Sequence, residues 1–178
     1  MTLITEPNPE SYIPKIFYGG MFDYSKLYKG IAQWFNDNGY EFHDELFKHK
    51  VPLPKGVEQE FKVYGWYKVD EYVQIWIRIH CHTWEVRDVE FLQDGQKKKL
   101  QKGKIMIRIE PELKLDYNSK FNGVMGVKVQ SFLNNVIWYK RITGNLQDTA
   151  YYRSYKLHLR IKELLNMSTA WNASDLRY

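Results

Sequence analysis

A single cysteine, Cys81, among 178 residues excludes an internal disulfide, so the fold owes nothing to an oxidising compartment. No apolar run approaches the roughly 20 residues that a helix needs to cross a bilayer, so no membrane partner is expected. The opening stretch MTLITEPNPESYIPK has neither the basic region nor the apolar stretch of a secretory signal, which points to a cytoplasmic protein. GxGxxG, the P-loop, GxSxG, HExxH and CxxC are all missing. The glycine pair at 19–20 and the GVMG at 123–126 lack the strand-then-helix setting that phosphate binding needs. There is no internal repeat and no low-complexity segment. These absences leave no catalytic residue, no cofactor and no metal to name, and the expectation is a protein that is not an enzyme.

What is plentiful is aromatic: 14 Tyr, 9 Phe and 6 Trp, side chains that suit contact surfaces as well as cores. The net charge of +5 allows attraction to nucleic acid or to acidic partners without requiring it. At this length a single domain buries a real core.

Residues 1–21, with Pro7, Pro9, Pro14 and Gly19-Gly20, read as an extended N-terminal arm lying on its own domain or on a neighbouring subunit. Residues 22–167 read as the α+β domain, and residues 168–178 as a polar tail with Trp171, Leu176 and Tyr178. Asp23 or Ser25 can cap a first helix carrying Leu27, Ile31, Trp34 and Phe35, closed by Asn38-Gly39. An irregular strand over 40–49 and a Pro52/Pro54 loop follow.

Residues 57–117 alternate with a period of two, which predicts an antiparallel meander of four to five strands with one buried face. Val73, Ile75, Ile77, Ile79 and Cys81 oppose Gln74, Trp76, Arg78, His80, His82 and Trp84. A two-residue turn after Val69 would put the apolar sets of neighbouring strands on opposite faces. A three-residue loop, Asp70 to Tyr72, keeps Val69 opposite Val73 and one common core face. That register sets Glu60 opposite His82, Lys62 opposite His80 and Trp66 opposite Trp76. Turn signals at Asp94-Gly95 and at Lys102-Gly103 predict further connections, before a last strand with Ile105, Ile107, Ile109, Leu113 and Leu115 inward. The C-terminal third predicts two helices packed on the sheet. One has a stripe of Val129, Phe132, Leu133, Val136 and Ile137; the other, about 149–166, has Leu157, Ile161, Leu164 and Leu165.

The stretch RIHCHTWEV raises the question of a metal or redox site. On a strand His80 and His82 share a face and Cys81 points to the other, so the three cannot form one site. An HxH pair can bind a metal given a third ligand, and Glu60 is the candidate, but Arg78 on the same face opposes a cation. The face is therefore read as metal-free, a polar and aromatic binding surface of Trp66, Trp76, Arg78, His80, His82 and Trp84. Cys81 among isoleucines reads as an inert core thiol. HDELFKH, with His43, Asp44, Glu45, Lys48 and His49, reads as a solvated strand edge. Lys97, Lys98, Lys99, Lys102 and Lys104 around a hairpin form a basic patch that could track a phosphate backbone, although no aromatic residue interleaves to stack a base.

Leu27-Tyr28, Trp34-Phe35, Gly39-Tyr40, Glu45 and Lys48-His49-Lys50, followed by a tryptophan-rich meander and a basic last helix, make a pattern over residues 22–165. It resembles a group of small uncharacterised α+β proteins from tailed phages and small-genome archaea. The resemblance implies an α+β fold and, through the phage members, a virion component; it transfers no catalytic residue. The expectation is a structural or assembly subunit of a tail, neck or baseplate, cytoplasmic or assembled into a virion, contacting other protein subunits as a homo- or hetero-oligomer. Two alternatives stand beside it: a small-ligand module, with the tryptophans of the sheet and the last helix enclosing a pocket, and a nucleic-acid-binding accessory protein using the basic hairpin.

Overall fold

The period-two alternation becomes three long strands in the computed structural model, which describes residues 3–5, 13–49, 56–93 and 96–167, with the backbone alone for 3–5, 49, 91–93 and 96–98. The strands are β1 (Leu3–Thr5), β2 (Ile16–Phe22), β3 (Glu41–His49), β4 (Val57–Lys68), β5 (Val73–Gln93) and β6 (Gln96–Leu115). All pairings are antiparallel. The meander β3-β4-β5-β6 is completed by β1 and β2, both of which pair with the outer side of β6. The α+β class and the meander are as expected. The three-residue loop is present as well: Val69 N donates to Val73 O at 3.0 Å, and Glu60, Lys62 and Trp66 face His82, His80 and Trp76.

Helix α1 (Tyr24–Asp37) begins at Asp23, whose carboxylate accepts from Lys26 N at 2.8 Å, and ends before Gly39 at φ 75°. It packs with α3 (Gln147–Leu164) on the isoleucine face. Leu27, Ile31, Phe35, Leu157 and Ile161 are all at 0% exposure, in one core with Phe61, Ile77, Ile79, Cys81 and Ile107. Gly65 lets that layer close: a Cβ there would lie 2.4 Å from the Phe35 ring. Burial pushes the Cys81 thiol well above its usual pKa, so it stays protonated and unreactive.

Three expectations are resolved or changed. Of the two supports expected for the arm, its own domain or a neighbouring subunit, the described part lies on the first: β2 zips along β6 from Ile16↔Ile107 to Phe22↔Gln101, and Ile13, Ile16 and Phe22 enter the core. The apolar anchors of this proline-interrupted segment find their burial on the chain's own sheet edge. Second, Lys102-Gly103 is not a turn. β6 runs straight through it, and the break lies on β5, where the register shifts between Trp84 and Arg87 and Glu85 takes φ 57°. This bulge exchanges the two faces of β5, so that Thr83 and then Val86 point inward. Gly103 faces it, and a Cβ there would meet Trp84 O at 2.9 Å. The glycine marks a close backbone approach instead of a chain reversal. Asp94 and Gly95 lie outside the described residues; the last described pair of β5 with β6 is Gln93↔Gln96. Residues 6–12, the Pro52/Pro54 loop and the 168–178 tail also lie outside.

The third change concerns the helix after the sheet. Helix α2 (Gly123–Phe132) continues through a π-helical turn (Leu133–Ile137), and a second π-helical turn (Arg141–Leu146) leads into α3. Of the stripe predicted to pack on the sheet, all but Leu133, which is half-buried, faces outward instead. Val129 is 46% exposed, Phe132 57%, Val136 63% and Ile137 59%, while the residues turned inward are Gln130 and Asn134.

Candidate functional site

Two surfaces concentrate side chains that the core does not use. The first is the open face of the sheet. Because α1 and α3 cover the isoleucine side, no described element packs on the other. Rows of cross-strand neighbours run over it: His43, Tyr64, Arg78 and Glu110; Glu41, Trp66, Trp76 and Glu112; Lys62, His80 and Arg108. The aromatic rings largely satisfy one another. Tyr64 stacks on Trp76 at 5.1 Å and on His43 at 5.2 Å, His82 stacks on Trp84 at 4.2 Å, and Lys114 Nζ stands 3.6 Å from the centre of the Trp76 ring. Trp66 Nε1 donates to His43 Nε2 at 3.2 Å. HDELFKH is thus a strand edge, but His43 belongs to the aromatic face.

All six residues named for this face from the sequence lie on it and are half-buried. The pocket imagined between the tryptophans and the last helix is absent, because α3 lies on the opposite side of the sheet. Arg78 pairs with Glu112 at 3.4 Å and Arg108 with Glu110 at 2.9 Å. His80 Nε2 lies 2.8 Å from Glu60 Oε1, and His82 Nε2 lies 2.5 Å from Glu58 Oε1. Burial pushes the His80 pKa below the usual imidazole value, helped by Lys62 and Arg108, and contact with Glu60 only partly offsets this. Burial pushes the Glu60 carboxyl up, but His80, Lys48 and Lys62 outweigh it and hold the pKa below the ordinary carboxylate value. Glu58 was not named from the sequence. Its two-residue spacing from Glu60 was the available signal.

The basic hairpin is less free than its composition suggests. Lys99 Nζ pairs with Glu90 at 3.2 Å and Lys104 Nζ with Glu85 at 3.1 Å, while Lys102 is paired in register with Met21 and Arg87. The side chains of Lys97 and Lys98 lie outside the described residues. Cross-strand carboxylates thus neutralise part of the patch, which weakens it as a phosphate track.

The second surface is the outward side of α2 and its π-helical continuation. Val124 (77% exposed) and Met125 (74%) extend the run through Phe132, Val136 and Ile137 to Tyr139. The helix is held by its polar side. The Tyr72 hydroxyl donates to Asn134 Oδ1 at 2.9 Å and accepts from Gln130 Nε2 at 3.4 Å, and the Tyr72 ring packs on Trp138 at 4.9 Å. Asp70 pairs with Arg141 nearby. A cleft of about 340 Å³ lined by Leu115, Gln130, Asn134 and Ile142 remains beneath it. Gln130 and Asn134, four apart, were the legible signal, since polar residues at that spacing share a helix face.

No protein-family model matches the chain, and no curated protein matches it. No described helix is long and apolar enough to cross a membrane.

Proposed function

We propose that this protein is a non-enzymatic structural or assembly subunit that binds another protein subunit through the outward face of α2. One observation carries the reading: this helix and its continuation turn Gln130 and Asn134 inward and Met125, Val129, Phe132, Val136 and Ile137 to solvent. Contiguous exposed apolar side chains are rare on proteins that act alone and mark contact surfaces. Lys128 and Lys140 are exposed along the same segment, charges of the kind that protein interfaces carry around an apolar centre. The tryptophan-rich open sheet is a second surface of suitable composition. The N-terminal arm lends no support, since its described part lies on its own domain. The resemblance to phage proteins suggests the assembly to look for first, a tailed-phage tail, neck or baseplate.

The test is native mass measurement of the protein from its source, beside a Met125→Ser/Phe132→Ser/Ile137→Ser variant. A stoichiometric protein partner is expected with the unmodified chain and is lost with the variant. A lone monomer, a partner retained by the variant, or vesicle binding without any protein partner would overturn the reading.

A further inference from the structure

We propose that Glu60, His80 and His82 form a binding site for a divalent first-row metal ion, with zinc the best fit. The fold assembles this set from two strands. The three-residue loop places Glu60 opposite His82 and Lys62 opposite His80, so both imidazoles and the carboxylate stand on one face of β4 and β5. One donor atom from each residue falls within 4.8 Å of the other two. Donors around a tetrahedral zinc at about 2.0–2.2 Å are separated by roughly 3.3–3.5 Å.

A second observation concerns the His80 ring, although Arg78 Nε and Arg108 Nε on the same face stand beside their carboxylates in the same way. His80 Nε2 is shielded from solvent and stands 2.8 Å from Glu60 Oε1, yet no hydrogen bond of acceptable geometry satisfies it. Two imidazoles and a carboxylate are a donor set that zinc accepts. Glu58, on the same face and in contact with His82 Nε2, offers a fourth oxygen or orients that ring. The stacked ring of Trp84 fixes the plane of His82. The cation expected to oppose a metal, Arg78, is engaged by Glu112. The competing charges are Lys62, whose Nζ lies 3.8 Å from Glu60 Oε1, Arg108, which faces His80 in register and pairs with Glu110, and Lys48 near Glu60. The site does not depend on the assembly reading. A bound ion would tie β4 to β5 at the centre of the open face whether or not α2 has a partner.

The experiment strips the full-length protein with chelator and titrates it with zinc alone, following heat and Tm, then repeats the titration with cobalt(II) to read its visible spectrum. Uptake of one ion per chain is expected, with a higher Tm and the strong visible bands of four-coordinate cobalt. Glu60→Gln, His80→Asn and His82→Asn should each weaken binding by about 100-fold, and Glu58→Gln by about 10-fold. Lys62→Met should tighten it. Far-UV circular dichroism confirms that each variant is folded. No uptake by the unmodified protein, or uptake that His82→Asn and Glu60→Gln leave unchanged, would overturn the proposal.

Discussion

Truncating Phe132 to alanine separates the two places its ring could be. Were the 129–137 stripe part of the core, the loss would be about 3–5 kcal/mol, the usual cost of Phe→Ala in a packed interior. The ring is 57% exposed, so less than half of its surface can lose contact. Full burial of such a side chain is worth roughly 1.5–3 kcal/mol, which leaves about 1 kcal/mol for Phe132→Ala in the isolated protein. The internal standard is Phe61→Ala. Phe61 is 1% exposed and lies edge-on to Tyr24 and Tyr28 at 5.6 and 5.7 Å, so it should lose about 3–5 kcal/mol. Urea unfolding followed by far-UV circular dichroism measures both on one scale. The order should reverse in a binding assay with the partner: a central aromatic at an interface is worth about 2 kcal/mol or more, roughly 30-fold in affinity, while Phe61→Ala should leave affinity per folded molecule unchanged. A monomer that loses about 3 kcal/mol or more with Phe132→Ala would refute the outward orientation and, with it, the docking surface.

Tyr72→Phe removes the hydroxyl that joins Asn134 and Gln130 and leaves Asn134 Oδ1 without that donor at 9% exposure. A loss of about 1–3 kcal/mol is expected, with faster amide exchange confined to α2; unchanged exchange there would refute the anchoring role. His158 is 7% exposed, and burial lowers its pKa from 6.5, with Lys162 adding to the shift. The unfolded chain therefore binds protons more readily, and stability should fall as pH drops from about 6.5 towards the lowered folded value. His158→Leu should make unfolding free energy less steep in pH over that window, though not flat, because His80 shifts in the same direction. Gly65→Ala, which sets a methyl 2.4 Å from the Phe35 ring, should cost about 1–3 kcal/mol by chemical denaturation, and a neutral result would refute the close approach.

The candidate site was partly legible before the fold. Strand alternation assigned Cys81 to the interior and the two histidines to the other face, and the loop-length argument paired Glu60 with His82. Both follow from the pleat, a local property of the backbone. The strands of the arm were not legible. Pro7, Pro9 and Pro14 obscure the segment, and only the open outer side of β6 gives Ile16 and Phe22 somewhere to bury. Gly103 was misread for a similar reason. A glycine serves a turn or a close approach equally well, and the bulge that decides between them lies on the neighbouring strand.

Helix α2 shows where local pattern stops. The spacing of Val129, Phe132, Val136 and Ile137 determined that this segment is helical with an apolar side, because 3.6-residue periodicity is intrinsic to the helix. It did not determine which side faces the protein. That depended on what the sheet end offered, and it offered the Tyr72 hydroxyl, which holds Asn134 and Gln130. The sequence by itself determined the alternating strands of the meander, the first and last helices, the inward isoleucines and the sharing of one face by His80 and His82. Tertiary structure decided which helix face is left to solvent, where the arm lies, and that Glu58 joins Glu60 beside the histidines. Each of these rests on partners far apart in the chain, whose approach no local spacing encodes.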